Sequence, residues 1–295
     1  LHFWATAAKH LVAGGKPAVV FSHHALGSWH YLPLNPVEAP LAIAQTVACG
    51  ANPWIAVFDY GLDANREYGV RPIREIQGFL EKNDAYYEDT RSAADVALLY
   101  SRQSGTYYIS GQDGIYGDVG SGQERDLIAD TGTGATIEDL RHRKSVCDGI
   151  CSNSYLGYFT TLTREHVPFD VVLDSQLTAE QLSRYRTLIL GNAACLSDAQ
   201  AEAIRAYVEA GGSVFAEFET GAFDENGAPR KSNPLAEMLG LRSKPEAMSV
   251  AYGEEYLTVK GDNAVTSCFV DGQLLPRPPY AMKAEFAGDA QALLY

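Results

Sequence analysis

The stretch Val167-Pro168-Phe169-Asp170-Val171-Val172-Leu173 is followed by Thr187-Leu188-Ile189-Leu190 and then by Ser213-Val214-Phe215-Ala216-Glu217-Phe218. Each is a short apolar run that reads as a strand. What lies between them reads as helix. Thr178 to Ser183 is a short helical segment, and Ser197-Asp198-Ala199-Gln200 forms a capping box. The helix it opens buries Ala201, Ile204 and Val208 and stops at Gly211-Gly212. One more run, Ala94-Asp95-Val96-Ala97-Leu98-Leu99-Tyr100, precedes them. Strands separated by helices must run parallel, so residues 93 to 220 predict a doubly wound α/β domain of three layers.

The same alternation occurs upstream. His2 to Ala13 predicts a helix ended by Gly14-Gly15, and Pro17-Ala18-Val19-Val20-Phe21 a strand buried on both faces. After a loop from Ser22 to Pro36 come a helix over Val37 to Cys49, a strand over Pro53 to Phe58 and a helix over Asn65 to Lys82, with Ile73, Ile76, Phe79 and Leu80 on one face. Asn83 to Arg91 reads as a polar linker. Ser101 to Lys144 is rich in Gly, Asp and Ser and is expected to be an irregular insertion, with helix resuming at about Ser154 to His166. From about Lys244 onward, short runs split by Gly and Pro read as β-rich.

Composition narrows the function. The chain has 295 residues, 46% hydrophobic and 20% charged, a globular balance. Its net charge of −14 repels nucleic-acid backbones and anionic membranes, and a neutral or polar substrate is accommodated more easily. No apolar run approaches the roughly 20 residues that span a bilayer. Five scattered cysteines, Cys49, Cys147, Cys151, Cys195 and Cys268, do not form a disulfide framework and fit a reducing, cytoplasmic compartment. Cys147 and Cys151 lie one helical turn apart, but no second Cys/His pair completes a metal set, so neither metal nor cofactor is expected. The chain begins at Leu1 and ends at Tyr295 inside a strand-like run, and we read it as a portion of a longer protein.

Three motifs bear on chemistry. Asp130-Thr131-Gly132 resembles an aspartic-protease turn, but the second such turn that would share the proton is missing. No Gly-rich phosphate loop follows any strand. Cys195 follows a strand, as a nucleophile elbow would, but Gly191-Asn192-Ala193-Ala194-Cys195-Leu196 lacks the second glycine, and the last histidine is His166. The richest segment is Ser22-His23-His24-Ala25-Leu26-Gly27-Ser28-Trp29-His30-Tyr31, at the C-terminal end of a parallel strand, where α/β folds bind ligands. Trp29 and Tyr31 can stack on sugar faces, and His23, His24 and His30 can hydrogen-bond hydroxyls. Asp59, after the next strand, opens on the same side and can bind a hydroxyl or act as an acid/base group.

Lys16-Pro17 leading into that loop, followed by Ala44-Gln45-Thr46-Val47-Ala48-Cys49-Gly50-Ala51-Asn52-Pro53-Trp54, resembles the last two strands of the barrel of family-42 β-galactosidases and related hydrolases. Val167 to Val172, Tyr185 to Leu190, Leu196 to Gln200 and Gly211-Gly212-Ser213-Val214 resemble the domain after that barrel, the β-galactosidase trimerisation domain. The resemblance implies a partial (β/α) barrel segment over 1–82, an amidotransferase-like, flavodoxin-like domain over 93–240 with a loop insertion at 101–145, and a small β-rich segment over 244–295. It implies a glycoside hydrolase acting on carbohydrate, assembled as a homo-oligomer, a trimer being one form. His23, His24, Trp29 and Asp59 would line the sugar pocket. One departure stands out: the position of the nucleophilic glutamate, counted from Lys16-Pro17, holds Ser22. A retaining glycosidase needs two carboxyl groups about 5 Å apart, which Ser22 cannot supply. Two alternatives therefore stay open, a non-catalytic carbohydrate-binding or assembly module and an amidotransferase-like enzyme using Cys195.

Overall fold

In this computed structural model the chain is described over residues 3–26, 29–57, 66–111, 137–243, 245–249, 256–261, 263–276, 280–287, 290 and 293. It divides into two compact units, residues 1–100 with 159–173, and residues 101–158 with 174–295.

The first unit opens with helix α1 (Phe3–Ala13), strand β1 (Val19–His23), the short strands β2 (Ala25–Leu26) and β3 (Trp29–Pro33), helix α2 (Glu38–Ala48) and strand β4 (Asn52–Ala56). β1 and β4 are parallel, with Val19 opposite Asn52, Phe21 opposite Trp54 and His23 opposite Ala56. Ala8 of α1 packs with Ala18, Val20 and Ala51 on one face of the pair. Small residues there let the helix approach the sheet closely. Ile43 of α2 packs with Ala39 and with Ile73 of helix α3 (Arg71–Lys82), against Ile55, Ile76 and Leu80. A π-helical turn, Arg66–Val70, leads into α3.

The other face of β1 departs from expectation. Val19 is 50% exposed, Phe21 46% and Trp54 61%. The run predicted to be buried on both faces is thus covered by α1 on one and by no described residue on the other. The segment expected to be a loop holds the antiparallel pair β2–β3, with Leu26 opposite Trp29 and Ala25 opposite Pro33. Its Trp and Tyr are residue types that favour a pleated strand, and the pair is anchored by Leu34 N donating to His24 O at 2.9 Å.

Strands β5 (Val96–Tyr100) and, after the helices α4 (Arg102–Tyr107) and α5 (Ile137–Arg164), β6 (Phe169–Leu173) pair in parallel, Val96 opposite Phe169. Lys9 of α1 donates to Phe169 O at 2.6 Å and lies over the Phe169 ring, while Phe159 meets that ring edge-on. In the second unit helix α6 (Ala179–Leu182) precedes β7 (Thr187–Leu190), which pairs in parallel with β8 (Ser213–Ala216) across helix α7 (Asp198–Glu209). The fold is therefore mixed α/β with parallel sheets.

The capping box is present: Gln200 N donates to Ser197 Oγ and Ser197 N to Gln200 Oε1. The two glycines after α7 serve different ends. Gly211 has φ +101°, which stops the helix. At Gly212 a Cβ would stand 2.2 Å from the Tyr207 ring, so only hydrogen fits.

The region 101–144 is more regular than expected. Ser101 caps α4 by accepting from Ser104 N, and α5 begins at Ile137 rather than near Ser154. The stripe that α5 presents to the interior is Val146, Cys147, Ile150 and Cys151, then Tyr155 and Phe159. Cysteine and tyrosine stand in it where an aliphatic pattern expects leucine. The remaining part, 112–136, including Asp130-Thr131-Gly132, lies outside the described residues. The tail forms β9 (Glu246–Ser249), β10 (Tyr256–Thr258), β11 (Leu274–Pro276) and β12 (Tyr280–Lys283), paired antiparallel as β9–β12 and β10–β11.

Candidate functional site

The C-terminal ends of the parallel strands β1 and β4 lie side by side, His23 opposite Ala56, which brings His23 and His24 to one edge of the first unit. Side chains alternate along a strand. Val19, Phe21 and His23 therefore share the open face with Trp54. Phe21 meets Trp54 edge-on at 5.3 Å between centroids and His23 at 4.6 Å. His23 is half-buried at the end of this aromatic row.

His24 points the other way and is 1% exposed. Its backbone N donates to Ala56 O at 3.2 Å, and its Nδ1 lies 3.2 Å from the same oxygen. It ties the end of β1 to the end of β4. Ser22 shares the buried face of Val20 at 6% exposure, and its Oγ has no hydrogen-bond partner among the described residues. Trp29 begins β3, opposite Leu26. Asp59 lies outside the described residues. The structure thus brings His23 and His24 to one strand end with the opposite orientations that strand alternation requires, and shows that His24 takes the covered face.

The second unit contains a buried polar centre. Cys147, Cys195, Tyr108 and Phe223 form one core cluster with Cys151 against it. Cys195 is fully buried, its backbone N donates to Ser104 Oγ at 3.0 Å, and burial pushes its thiol up to about 12, with Asp224 and Asp174 adding to the shift. Burial likewise raises Cys151 to about 12, helped by Cys147. A buried, protonated thiol is the opposite of an activated nucleophile. None of the five cysteines, all described, forms a disulfide, and no three His, Cys, Asp or Glu among the described residues stand together as metal ligands.

Next to this cluster the Tyr108 hydroxyl donates to Glu219 Oε2 at 2.5 Å across 111 residues of sequence, both groups being buried. Tyr158 donates to Glu217 Oε2 at 2.6 Å. Burial first, and then the neighbouring carboxylate, holds each tyrosine far above its usual range.

The described residues thus form a mixed α/β fold with parallel sheets, in which burial raises the Cys151 and Cys195 thiols and disfavours their thiolates. Residues 94–274 match the family described as the β-galactosidase trimerisation domain, and the chain belongs to that family. Among solved structures the chain is similar to a β-galactosidase from Bacillus circulans sp. alkalophilus (16% identity, TM-score 0.66, 99% of this chain and 41% of that one). It is also similar to a catalytic mutant of Gan42B, a GH42 β-galactosidase from G. stearothermophilus (17%, 0.60, 99% and 40%). A third is α-L-fucosidase isoenzyme 2 from Paenibacillus thiaminolyticus (16%, 0.60, 99% and 36%). At these identities the likeness is one of fold. The chain spans about two fifths of the length of these structures. No curated protein matches it. Membership in a trimerisation-domain family supports a homo-oligomer. No helix among the described residues is long and apolar enough to cross a membrane.

Proposed function

We propose that the chain is the later part of a glycoside hydrolase of the β-galactosidase type, acting on carbohydrate. In this reading 1–82 contributes barrel strands, 93–240 holds copies together as a trimer and 244–295 is an accessory β segment. The observation that carries it is the pairing, on one chain, of the trimerisation-domain sequence at 94–274 with a fold likeness that extends over the preceding β1–α2–β4 unit. The open row of Val19, Phe21 and Trp54 supports it, since parallel sheets are ordinarily covered on both faces. His23, at the end of that row, would hydrogen-bond a sugar hydroxyl. Trp29 would stack on the sugar and Asp59 accept from it, while His24 would hold the two strand ends in place.

Turnover of a panel of aryl glycosides by the full-length protein tests the reading. Hydrolysis that His23→Ala weakens through KM supports it. A monomer by light scattering would overturn the assembly part.

One observation favours a second reading. Ser22, buried beside Val20, offers no carboxylate where a retaining enzyme needs one. A non-catalytic carbohydrate-binding module would show sugar binding with no turnover of any glycoside.

A further inference from the structure

The four most exposed large apolar side chains described in the second unit lie in one stretch of the chain: Tyr256, Val265, Val270 and Leu274, between 56% and 72% exposed. Strand register places the first and last. In the antiparallel ribbon β10–β11, Tyr256 stands opposite Pro276 and Thr258 opposite Leu274, so these four side chains share one face. Leu257 and Leu275, directly opposite each other, take the other face and are half-buried. Both faces of the ribbon are apolar, and the Tyr256–Leu274 face is the open one.

The excursion between the two strands carries Val265 and Val270, and its own hydrogen bonds close it. Val259 N donates to Gln273 O and Gly272 N to Val259 O, each at 2.9 Å, which continues the pairing past β10. Within the excursion Val265 N donates to Asn263 Oδ1, Phe269 N to Thr266 O and Val270 N to Gln273 Oε1. Val259 and Thr266 are buried and seat the loop from beneath. An ordered backbone therefore holds Val265 and Val270 outward, where each forgoes the free energy that burial of an apolar side chain returns.

Charge decides what suits this surface. The chain has a net charge of −14, so copies of it repel one another unless they meet where charge is absent. From Asn263 to Val270 and from Gln273 to Pro276 the sequence holds no charged residue. Nucleic acid and anionic membranes are met by cations, which this surface lacks. The centres of protein interfaces are depleted of charge, and exposed apolar patches mark them. Copies related by a rotation axis beside the patch bring identical residues together, and an uncharged apolar surface is complementary to itself there. The stretch also lies inside 94–274, the residues that match the trimerisation-domain family.

We propose that the Tyr256–Leu274 face of the ribbon, with Val265 and Val270, is a surface through which copies of this chain meet, the patch of each against the same patch of its neighbour. The inference rests on the homo-oligomeric reading above and extends the contact from 93–240 into the β segment.

Cys268 supplies a probe within the patch: it is exposed, whereas Cys147 and Cys195 are buried and Cys49 and Cys151 half-buried. A short bismaleimide applied to the native full chain is expected to give a covalent dimer on a denaturing gel, and Cys268→Ser to remove it. Val270→Glu combined with Leu274→Glu places two carboxylates in the contact. The pair should lower the mass in light scattering to the 32.0 kDa of a single chain while leaving the circular dichroism spectrum unchanged. An assembled wild-type chain that gives no Cys268 cross-link and keeps its mass in the double variant overturns this surface, which then belongs to a partner of another kind, and leaves the assembly reading standing. A wild-type chain of 32.0 kDa in solution overturns both.

Discussion

The β1–β4 pair and strand β7 read alike as sequence, yet they sit in opposite surroundings. In β7 the consecutive residues Leu188, Ile189 and Leu190 are all buried, so both faces of the strand are covered. In β1 burial alternates, Val20 and Ser22 inside, Val19 and Phe21 outside. An apolar run shows that a strand is suited to two covers, but it does not show that both are supplied by the residues at hand. Among the described residues the first region is covered on one face, whereas the second is covered on both.

Substitutions at matched positions would break this comparison or sharpen it. The largest effect is expected from Leu188→Ala, which empties a fully enclosed site and should cost about 3 kcal/mol in urea unfolding. A cost under 1 kcal/mol would show that β7 is not enclosed. Tyr108→Phe comes next. It removes a donor from the buried Glu219 carboxylate and should cost about 2 kcal/mol, since hydrogen bonds to charged groups are the stronger ones.

The buried thiols give a smaller, pH-dependent effect. Folded Cys151 and Cys195 keep their protons to about pH 12, whereas unfolded thiols release them near 9. Between those values the unfolded state binds fewer protons, so stability falls as pH rises. The melting temperature should decline from pH 9 upward, Cys195→Ala should reduce the slope, and iodoacetamide should leave native Cys195 unlabelled. Rapid labelling at pH 8 would contradict the burial. The smallest effect is expected at the open face: Phe21→Ala should change stability by less than about 1 kcal/mol in this chain. In a longer protein that covers the face, the same substitution should cost about 3 kcal/mol or more. That difference would measure the cover that a longer protein supplies.

Much of the framework was legible in sequence. The strands at Phe169–Leu173 and Thr187–Leu190 fall where their apolar runs predict, and the capping box at Ser197 and Gln200 is present. Local chemistry determines these features, through hydrophobic runs and one side chain reaching three residues along. The part of α5 before Ser154 is not legible in sequence because its interior stripe mixes Cys147 and Cys151 with Val146 and Ile150 inside a polar stretch. At the β1 edge, the opposite orientations of His23 and His24 follow from strand alternation, but which of them is covered depends on the face against which α1 packs. The Tyr108–Glu219 bond left no local trace. It is imposed by packing between segments far apart in the chain.

The contact between Gly212 and Tyr207 has a consequence for inheritance. The ring occupies the volume in which any Cβ at 212 would lie. The two positions should therefore behave as one character among relatives: a side chain at 212 accompanied by a smaller residue at 207, and an aromatic at 207 by glycine at 212. A family alignment should show the pair changing together, while Gly211, kept by its backbone angle alone, varies independently of residue 207.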